Sequence, residues 1–452
     1  MKYCRQYSTC LLVALIAILL AGQHAQAAPE PEKLTLADSI ALALANNPAM
    51  KIAQSGSEKA LWKVNQARAY SGVTLRYSFT RGRTDQPPSW YNNTTINYPL
   101  SYNPQTQSFI EYPAWSEAYD FYSHQLQLQL PLYTGGKIEN SISLARHGEA
   151  AASLGAAQAR QQLIMEVTTS YFNVLQTRNL ADVARQAVED LEAHLKNVQN
   201  HYDAGTVSLS DVLQTQVRLA NARNNLIKAQ NIYKLSRYKL NKIIGLSLHN
   251  DAVLSDDLSF QPYQRTIDES IAIALKNRPE VAQARLKVDM AHDGLKIAKS
   301  GNLPTVALVA TESWQDTLPS TSKNSNAWLV GLNVQFNVFD NGITKAEIKQ
   351  SEHEIAEAKE QLRQAEDKIT LEVCQAYLNV QEAAERIANN KVAVNQSETD
   401  YQLAQERYEN GVGTNLDVMD AELAMTQARI NYVQALYDYY ISRAQLDRAM
   451  GI

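Results

Sequence analysis

The chain has 452 residues, 45% of them apolar and 20% charged, with a formal net charge of −5. That mildly acidic balance excludes the basic surface that nucleic acid requires, so no nucleic-acid partner is expected. Three cysteines with no CxxC spacing exclude a redox or zinc motif of that kind and leave no disulfide framework.

Lys2 and Arg5 precede an apolar run over residues 11–21, which is followed by the small-residue site Ala25-Gln26-Ala27. This reads as an export signal over residues 1–27, with the mature chain starting at Ala28. About eleven apolar residues are too few to span a bilayer, which disfavours a membrane anchor. Cleavage removes Cys4 and Cys10, leaves Cys374 alone, and takes the formal charge from −5 to −7. No cysteine stands at the cleavage point, which argues against a lipid-modified N-terminus.

Residues 36–46 then pattern as a short amphipathic helix, and Pro48 opens a second one reaching about Tyr70. After it the hydrophobic period changes to two. Val73, Leu75, Tyr77 and Phe79 alternate with Thr74, Arg76, Ser78 and Thr80, and Leu126, Leu128, Leu130 and Leu132 alternate with glutamines. Val306 and Leu308 repeat the pattern weakly, and Val330, Leu332, Val334, Phe336 and Val338 repeat it clearly. These are four strands, at about 73–82, 123–133, 304–313 and 328–339, each near the length that crosses a bilayer when tilted. Their polar side is Gln, Asn and Thr, as suits a wet lumen. Trp90, Tyr91, Trp115, Tyr119, Phe121, Tyr122, Trp314 and Trp328 gather near one end, with Tyr133 and Phe339 at the other, like interfacial girdles. The polar loops between paired strands, about 81–122 and 316–327, read as extracellular, and the first is long enough to cover a pore mouth.

A long helix follows each strand pair, at about 138–201 and 343–407, and each leads through a glycine turn into a second helix, 209–244 and 415–450. Residues 343–404 contain no proline or glycine, and apolar residues recur in steps of three and four from Ile355 to Ile387. Such a run is about 90 Å long and must lie against parallel neighbours along its narrow apolar stripe. The four-then-four step Ala365, Ile369, Val373 is a stutter that locally unwinds a left-handed supercoil. Residues 246–265 carry Gly, Pro, Asp and Ser signals and read as a linker.

Sliding the sequence over itself exposes a tandem duplication. At an offset of 206, Tyr133-Thr134-Gly135-Gly136 meets Phe339-Asp340-Asn341-Gly342, Tyr202-x-x-Gly205 meets Tyr408-x-x-Gly411, and Asp211-Val212 meets Asp417-Val418. At an offset of 231, Asn46-x-Pro48 meets Asn277-x-Pro279, so the first half carries 25 extra residues between Pro48 and Leu126. The repeats are residues 28–245 and 266–452. Four strands cannot close a barrel, so the chain is expected to oligomerise and remove its sheet edges. Two copies give eight strands and a filled interior; three give twelve strands and room for a lumen. The expected fold class is mostly α with a transmembrane β-barrel part.

The paired Asn-x-Pro motifs, the two strand exits and the run from Tyr408-Glu409-Asn410-Gly411 to Asp417-Val418-Met419-Asp420 together resemble the TolC family of outer-membrane efflux proteins, across essentially all of the mature sequence. The resemblance implies a homotrimer with a twelve-strand β-barrel in outer-membrane lipid and an α-helical barrel across the periplasm. It also implies docking to a periplasmic adaptor and to an inner-membrane pump of RND, ABC or MFS type, in efflux or type I secretion. No cofactor and no enzymatic activity are implied, and the scattered mature histidines have no metal-binding helical spacing.

The candidate site is the hairpin tip. Asp417 and Asp420, spaced i, i+3 at the start of the last helix, share a face. Under three-fold symmetry they would form two stacked acidic rings; helix-dipole stabilisation is the plainer reading of Asp417 and of its counterpart Asp211. Because Asp420 repeats the carboxylate one turn on, and matches the family's entrance acids, the rings are the expectation, with Asp211 joining the gate contacts. Tyr408 fits the family's gate tyrosine, whereas Gly413 stands where a gate arginine is expected. Tyr202, Gly205, Gly411 and Gly413 mark the tips at which an adaptor would dock. The alternative is a periplasmic adaptor or soluble coiled-coil scaffold, which needs one hairpin set into β-rich domains rather than two colinear repeats.

Overall fold

The computed structural model describes residues 33–84, 101–103, 105, 108–110, 118–255, 260–318 and 325–452. The export signal, Trp90, Tyr91, Trp115 and most of the first strand-to-strand loop lie outside these residues. The elements run β1 (Lys33–Leu34), α1 (Leu36–Asn46), α2 (Pro48–Ala69), β2 (Thr74–Thr84), β3 (Ser101–Asn103), β4 (Ser108–Ile110), β5 (Tyr119–Tyr133), α3 (Lys137–Asp203), α4 (Leu209–Ile244), β6 (Val253–Leu254), α5 (Ile267–Asn277), α6 (Pro279–Ser300), β7 (Thr305–Leu318), β8 (Ser325–Gln335), α7 (Ile343–Glu409) and α8 (Asn415–Met450). None of the described helices is long and apolar enough to cross a membrane.

The chain divides into two compact units, and neither is a sequence repeat. One holds residues up to Met50, Arg160–Ile267 and Cys374–Arg448; the other holds Lys51–Ala159, Asp268–Val373 and Ala449–Ile452. Each therefore draws on both repeats, because α3 and α7, at 67 residues each, contribute a segment to both.

The second unit carries the sheet, in the order β2-β5-β7-β8, antiparallel throughout. Strand β5 from the first repeat pairs with β7 from the second, which among the described residues leaves β2 and β8 each paired on one side only. The register puts Leu75 beside Leu128, Tyr77 beside Leu126, Leu308 beside Leu332 and Val306 beside Val334, so one pleat face is apolar across all four strands. On the other face lie Thr74, Arg76, Ser78, the β5 glutamines, Thr311 and Asn333. The apolar face is exposed in the single chain: Leu332, Val334 and Trp328 are 65%, 64% and 80% accessible. Pro131, which has no N–H for the ladder, sits where the β5–β7 register shifts.

The strand ends differ from the sequence expectation. Strands β2 and β7 continue to Thr84 and Leu318, because backbone pairing persists after the apolar alternation stops. Strand β8 ends at Gln335, short of Phe336 and Val338. The apolar face also carries two polar side chains that composition did not place there. Glu312 pairs in register with Leu126 and Trp328. His124 stacks on Trp314 at 5.3 Å and shares a 2.8 Å hydrogen bond with the Tyr77 hydroxyl.

Both strand exits use left-handed backbone: Gly135 and Gly136 in the first repeat, Asn341 and Gly342 in the second. A Cβ on Gly135 would lie 2.7 Å from the Leu303 Cβ, which excludes a side chain there; at the matching position Asn341 adopts the left-handed conformation that asparagine tolerates. Thr134 and Asp340 then cap the long helices, accepting from the backbone N–H of Ile138 and of Thr344.

The first unit's core gathers Tyr171, Phe172, Leu175, Leu240, Ile244 and Tyr437 with Ala43 and Leu254. The linker is part of it: β6 pairs in parallel with β1, and the Tyr171 hydroxyl lies within hydrogen-bond distance of the carbonyls of Leu34 and Ser255. Sequence signals gave no strand at either place, since two residues carry no period. The apolar stripe of α7 is buried at Ile355, Ala358, Ile369, Val373, Ala376, Val380, Ala383 and Ile387.

Candidate functional site

The tips of the two helical hairpins, α3–α4 and α7–α8, are built by one local code used twice. At the first, Thr206 N–H donates to the His201 carbonyl and Gly205 N–H to Tyr202; at the second, Val412 N–H donates to Arg407 and Gly411 N–H to Tyr408. These six-to-one and five-to-two bonds are the Schellman ending, which needs the left-handed backbone that Gly205 and Gly411 adopt. Each following helix opens on a capping box. The Ser208 hydroxyl accepts from Asp211 N–H while Asp211 accepts from Ser208, and Thr414 and Asp417 do the same.

Asp211 and Asp417 are therefore both engaged as caps. Asp417 is exposed, and the Thr414 backbone N–H, the Thr414 hydroxyl and the charge of Arg407 hold its carboxyl below the usual carboxylate range. Asp420 is exposed one turn on and borders a groove of about 490 Å³ lined by Leu213, Val217, Arg218, Leu416 and Met419. Gly413 has a steric cause. A Cβ there would stand 3.1 Å from the Tyr408 nitrogen and from the Arg407 Cβ, while its own N–H donates to the Arg407 carbonyl. A side chain at that position would be tight and would need its neighbours to give by a few tenths of an ångström, and the cation beside Asp417 is Arg407.

Behind the turns, Val198, Val212, Tyr401, Ala404, Val418, Ala421 and Met425 pack around Tyr408. The Tyr408 ring meets His194 and His201 edge-on, at 5.2 and 5.3 Å. Its hydroxyl is buried without a hydrogen-bond partner among the described residues. Burial, and then the charge of Asp211, raise its pKa. Tyr202, by contrast, is exposed.

Two buried polar groups at this tip were not foreseen. His194 Nε2 lies 2.8 Å from Asn415 Oδ1, to which the Thr215 hydroxyl also donates at 3.2 Å, and the Asn415 amide donates to the Asp211 carbonyl. Further along α8, Glu422 is buried, accepts from the Thr426 hydroxyl, and lies 3.8 Å from Arg218; burial raises its pKa. One signal was available: at offset 206 Asn415 falls on Leu209, a mismatch inside an otherwise matched cap. Among the described residues, no group of three His, Cys, Asp or Glu side chains is placed to hold a metal ion.

Known proteins share this architecture. The sequence profile described as outer membrane efflux protein matches residues 39–246 and 271–452. Outer membrane protein TolC of Escherichia coli (strain K12) is 22% identical over 422 residues, covering 90% of this chain and 80% of TolC. The alkaline protease secretion protein AprF of Pseudomonas aeruginosa is 25% identical over 432 residues, covering 93% and 85%. Among solved structures, the outer membrane protein VceC of Vibrio cholerae superposes with a TM-score of 0.74 at 19% identity, covering 92% of this chain and 96% of VceC.

Proposed function

The chain belongs to the outer membrane efflux protein family, and from that premise we propose how it works as the outer-membrane exit duct of a tripartite export system. The observation that carries the reading is the four-stranded sheet, apolar on one face and polar on the other, with an open edge on each of its two outer strands among the described residues. Unpaired edges cannot face lipid, because no water is there to satisfy the backbone groups. Three copies, each joining its β2 to the next copy's β8, remove every edge and give a twelve-stranded barrel with a wet lumen. The aromatic residues Tyr77, Trp314 and Trp328 then stand at one interface of the apolar band. A soluble adaptor, the alternative reading, has no use for such a face.

In the trimer, Asp417 and Asp420 of three copies ring the periplasmic opening and favour cations there. Asp211 and Tyr408 hold the second hairpin against the first. A periplasmic adaptor engages the tips at Tyr202, Gly205, Gly411 and Gly413 and the adjoining groove, and stabilises the splayed arrangement by binding it more tightly. The energy for export comes from an inner-membrane pump of RND, ABC or MFS type.

Single-channel recording in a planar bilayer tests this. The purified oligomer should conduct and prefer cations, and Asp417→Ala with Asp420→Ala should abolish most of that preference. Unchanged selectivity in the double variant removes the acidic rings from the mechanism, and absence of conductance in every preparation removes the duct.

A further inference from the structure

The duplicated tips differ at one buried place, and that place joins the two hairpins. His194 comes from α3, Thr215 from α4 and Asn415 from the first turn of α8; they are 2%, 0% and 4% exposed. With its amide donating to the Asp211 carbonyl, Asn415 presents only its oxygen to His194, so the imidazole must donate from Nε2. Every polar group of Asn415 named here is engaged across the hairpin boundary. At the matching positions of the duplication stand Leu209, which is exposed, and Asp400.

We propose that His194 and Asn415 form an acid-sensitive latch, fastening the second hairpin to the first when His194 is neutral and loosening as it gains a proton. This rests on the reading of the tip as a gate. A neutral imidazole satisfies Asn415 and needs no water; an imidazolium in the same place carries a second N–H and a charge into a water-free cluster. The cost is relieved when the hairpins part and the ring is hydrated.

The charged groups around the latch set the direction. On α7, the Tyr408 ring lies against His194, and its phenol remains neutral across the relevant range. On α3 itself, His201 lies beyond Tyr408 and is exposed enough to bond the Thr206 hydroxyl. On α4, the Asp211 carboxylate is turned to its Ser208 cap. On α4 and α8, Arg218 and Glu422 face each other two turns from Asn415. None of these carboxylates forms an ion pair with His194 among the described residues, and burial lowers the pKa of His194 and outweighs the opposing hydrogen bond to Asn415.

The sign follows from that depression. A base held neutral in the fastened state favours that state fully above its ordinary value of about 6.5, and progressively less as pH falls below it. Between the open-state and fastened-state values, the ratio of fastened to parted tips falls up to about tenfold per pH unit in each protomer. Glu422 acts in the opposite sense, since acid neutralises a buried carboxylate and favours burial.

The experiment uses the full-length oligomer in planar bilayers, comparing the wild type with His194→Gln between pH 7.5 and 5.5. Glutamine keeps a donor for Asn415 and cannot titrate. The expected result is a rise in wild-type open conductance of about threefold or more over that interval, with a flat or falling response in His194→Gln. An equal rise in both proteins, or no rise in a wild type that conducts, overturns the latch. Exchange of the imidazole C2 proton, followed by mass spectrometry, gives a second reading on the unmodified oligomer. A His194 midpoint well below the exposed histidines supports the latch and an ordinary midpoint overturns it, even for a preparation that conducts at no pH and so fails the duct reading instead.

Discussion

At the first hairpin tip the residue after the capping serine is Leu209, exposed to solvent; at the second, the residue after the capping threonine is Asn415, buried against His194 and Thr215. The duplication diverges in the same manner at the Asn-x-Pro motifs. In the first repeat the middle residue is Asn47, whose side chain accepts from Ala49 N–H and donates to the Ile243 carbonyl. In the second it is Arg278, only 4% exposed, forked onto Glu280 and reaching Glu372. The terminal glycines are kept: Gly245 packs against Asn46 in one unit and Gly451 against Asn277 in the other, each with positive φ. Duplication has held the positions that dictate backbone geometry and freed those that decide which partner is grasped.

Making one copy resemble the other tests this. The largest effect is expected from Arg278→Asn, which imposes the first repeat's residue and removes the cation that Glu280 and Glu372 share. A loss of about 3 kcal/mol follows for a largely buried ion pair broken from one side. Thermal unfolding followed by circular dichroism measures it, and a loss below about 1 kcal/mol would mean that the acids rehydrate freely.

Asn415→Leu is next. It strands the His194 donor in a dry cluster, while the Thr215 hydroxyl keeps the Asp211 carbonyl as acceptor, and should cost about 2 kcal/mol. The reciprocal Leu209→Asn touches only solvent and should stay within about 0.5 kcal/mol. Equal losses in the pair, read in the same unfolding experiment, would erase the distinction between the tips.

The smallest effect concerns pH. Because its folded-state pKa is lowered, Asp417 contributes stability that is present above the ordinary carboxylate value and is lost as pH falls through the depressed one. Amide exchange at residues 415–418 should accelerate in that acid window in the wild type, and Asp417→Asn should remove the step. A step that survives in the variant assigns it to another group.

Much of this molecule was legible along the chain. Helix and strand periods and the glycine turns act over a few residues, so the sequence states them directly; the Ser208/Asp211 and Thr414/Asp417 capping boxes are as local, but it is the structure that shows them. The shared face of Asp417 and Asp420 follows from helical spacing, whereas it is the structure that shows the Asp417 carboxylate accepting from the Thr414 N–H. Gly413 marked a missing arginine in the sequence, whereas the tight 3.1 Å approach that a Cβ there would make to the Tyr408 nitrogen is a fact of three dimensions.

The sequence by itself determined the duplication, the amphipathic ribbons and the long helices, since each is written in a local repeat of apolar residues that any fold must bury or turn toward lipid. Only the tertiary structure decided that Glu312 lies on the apolar pleat, that Arg278 is gripped by two acids, and that His194 meets Asn415 across 221 positions of chain. A polar group buried far from water must find its partner wherever the packing brings one, and no periodicity records that choice.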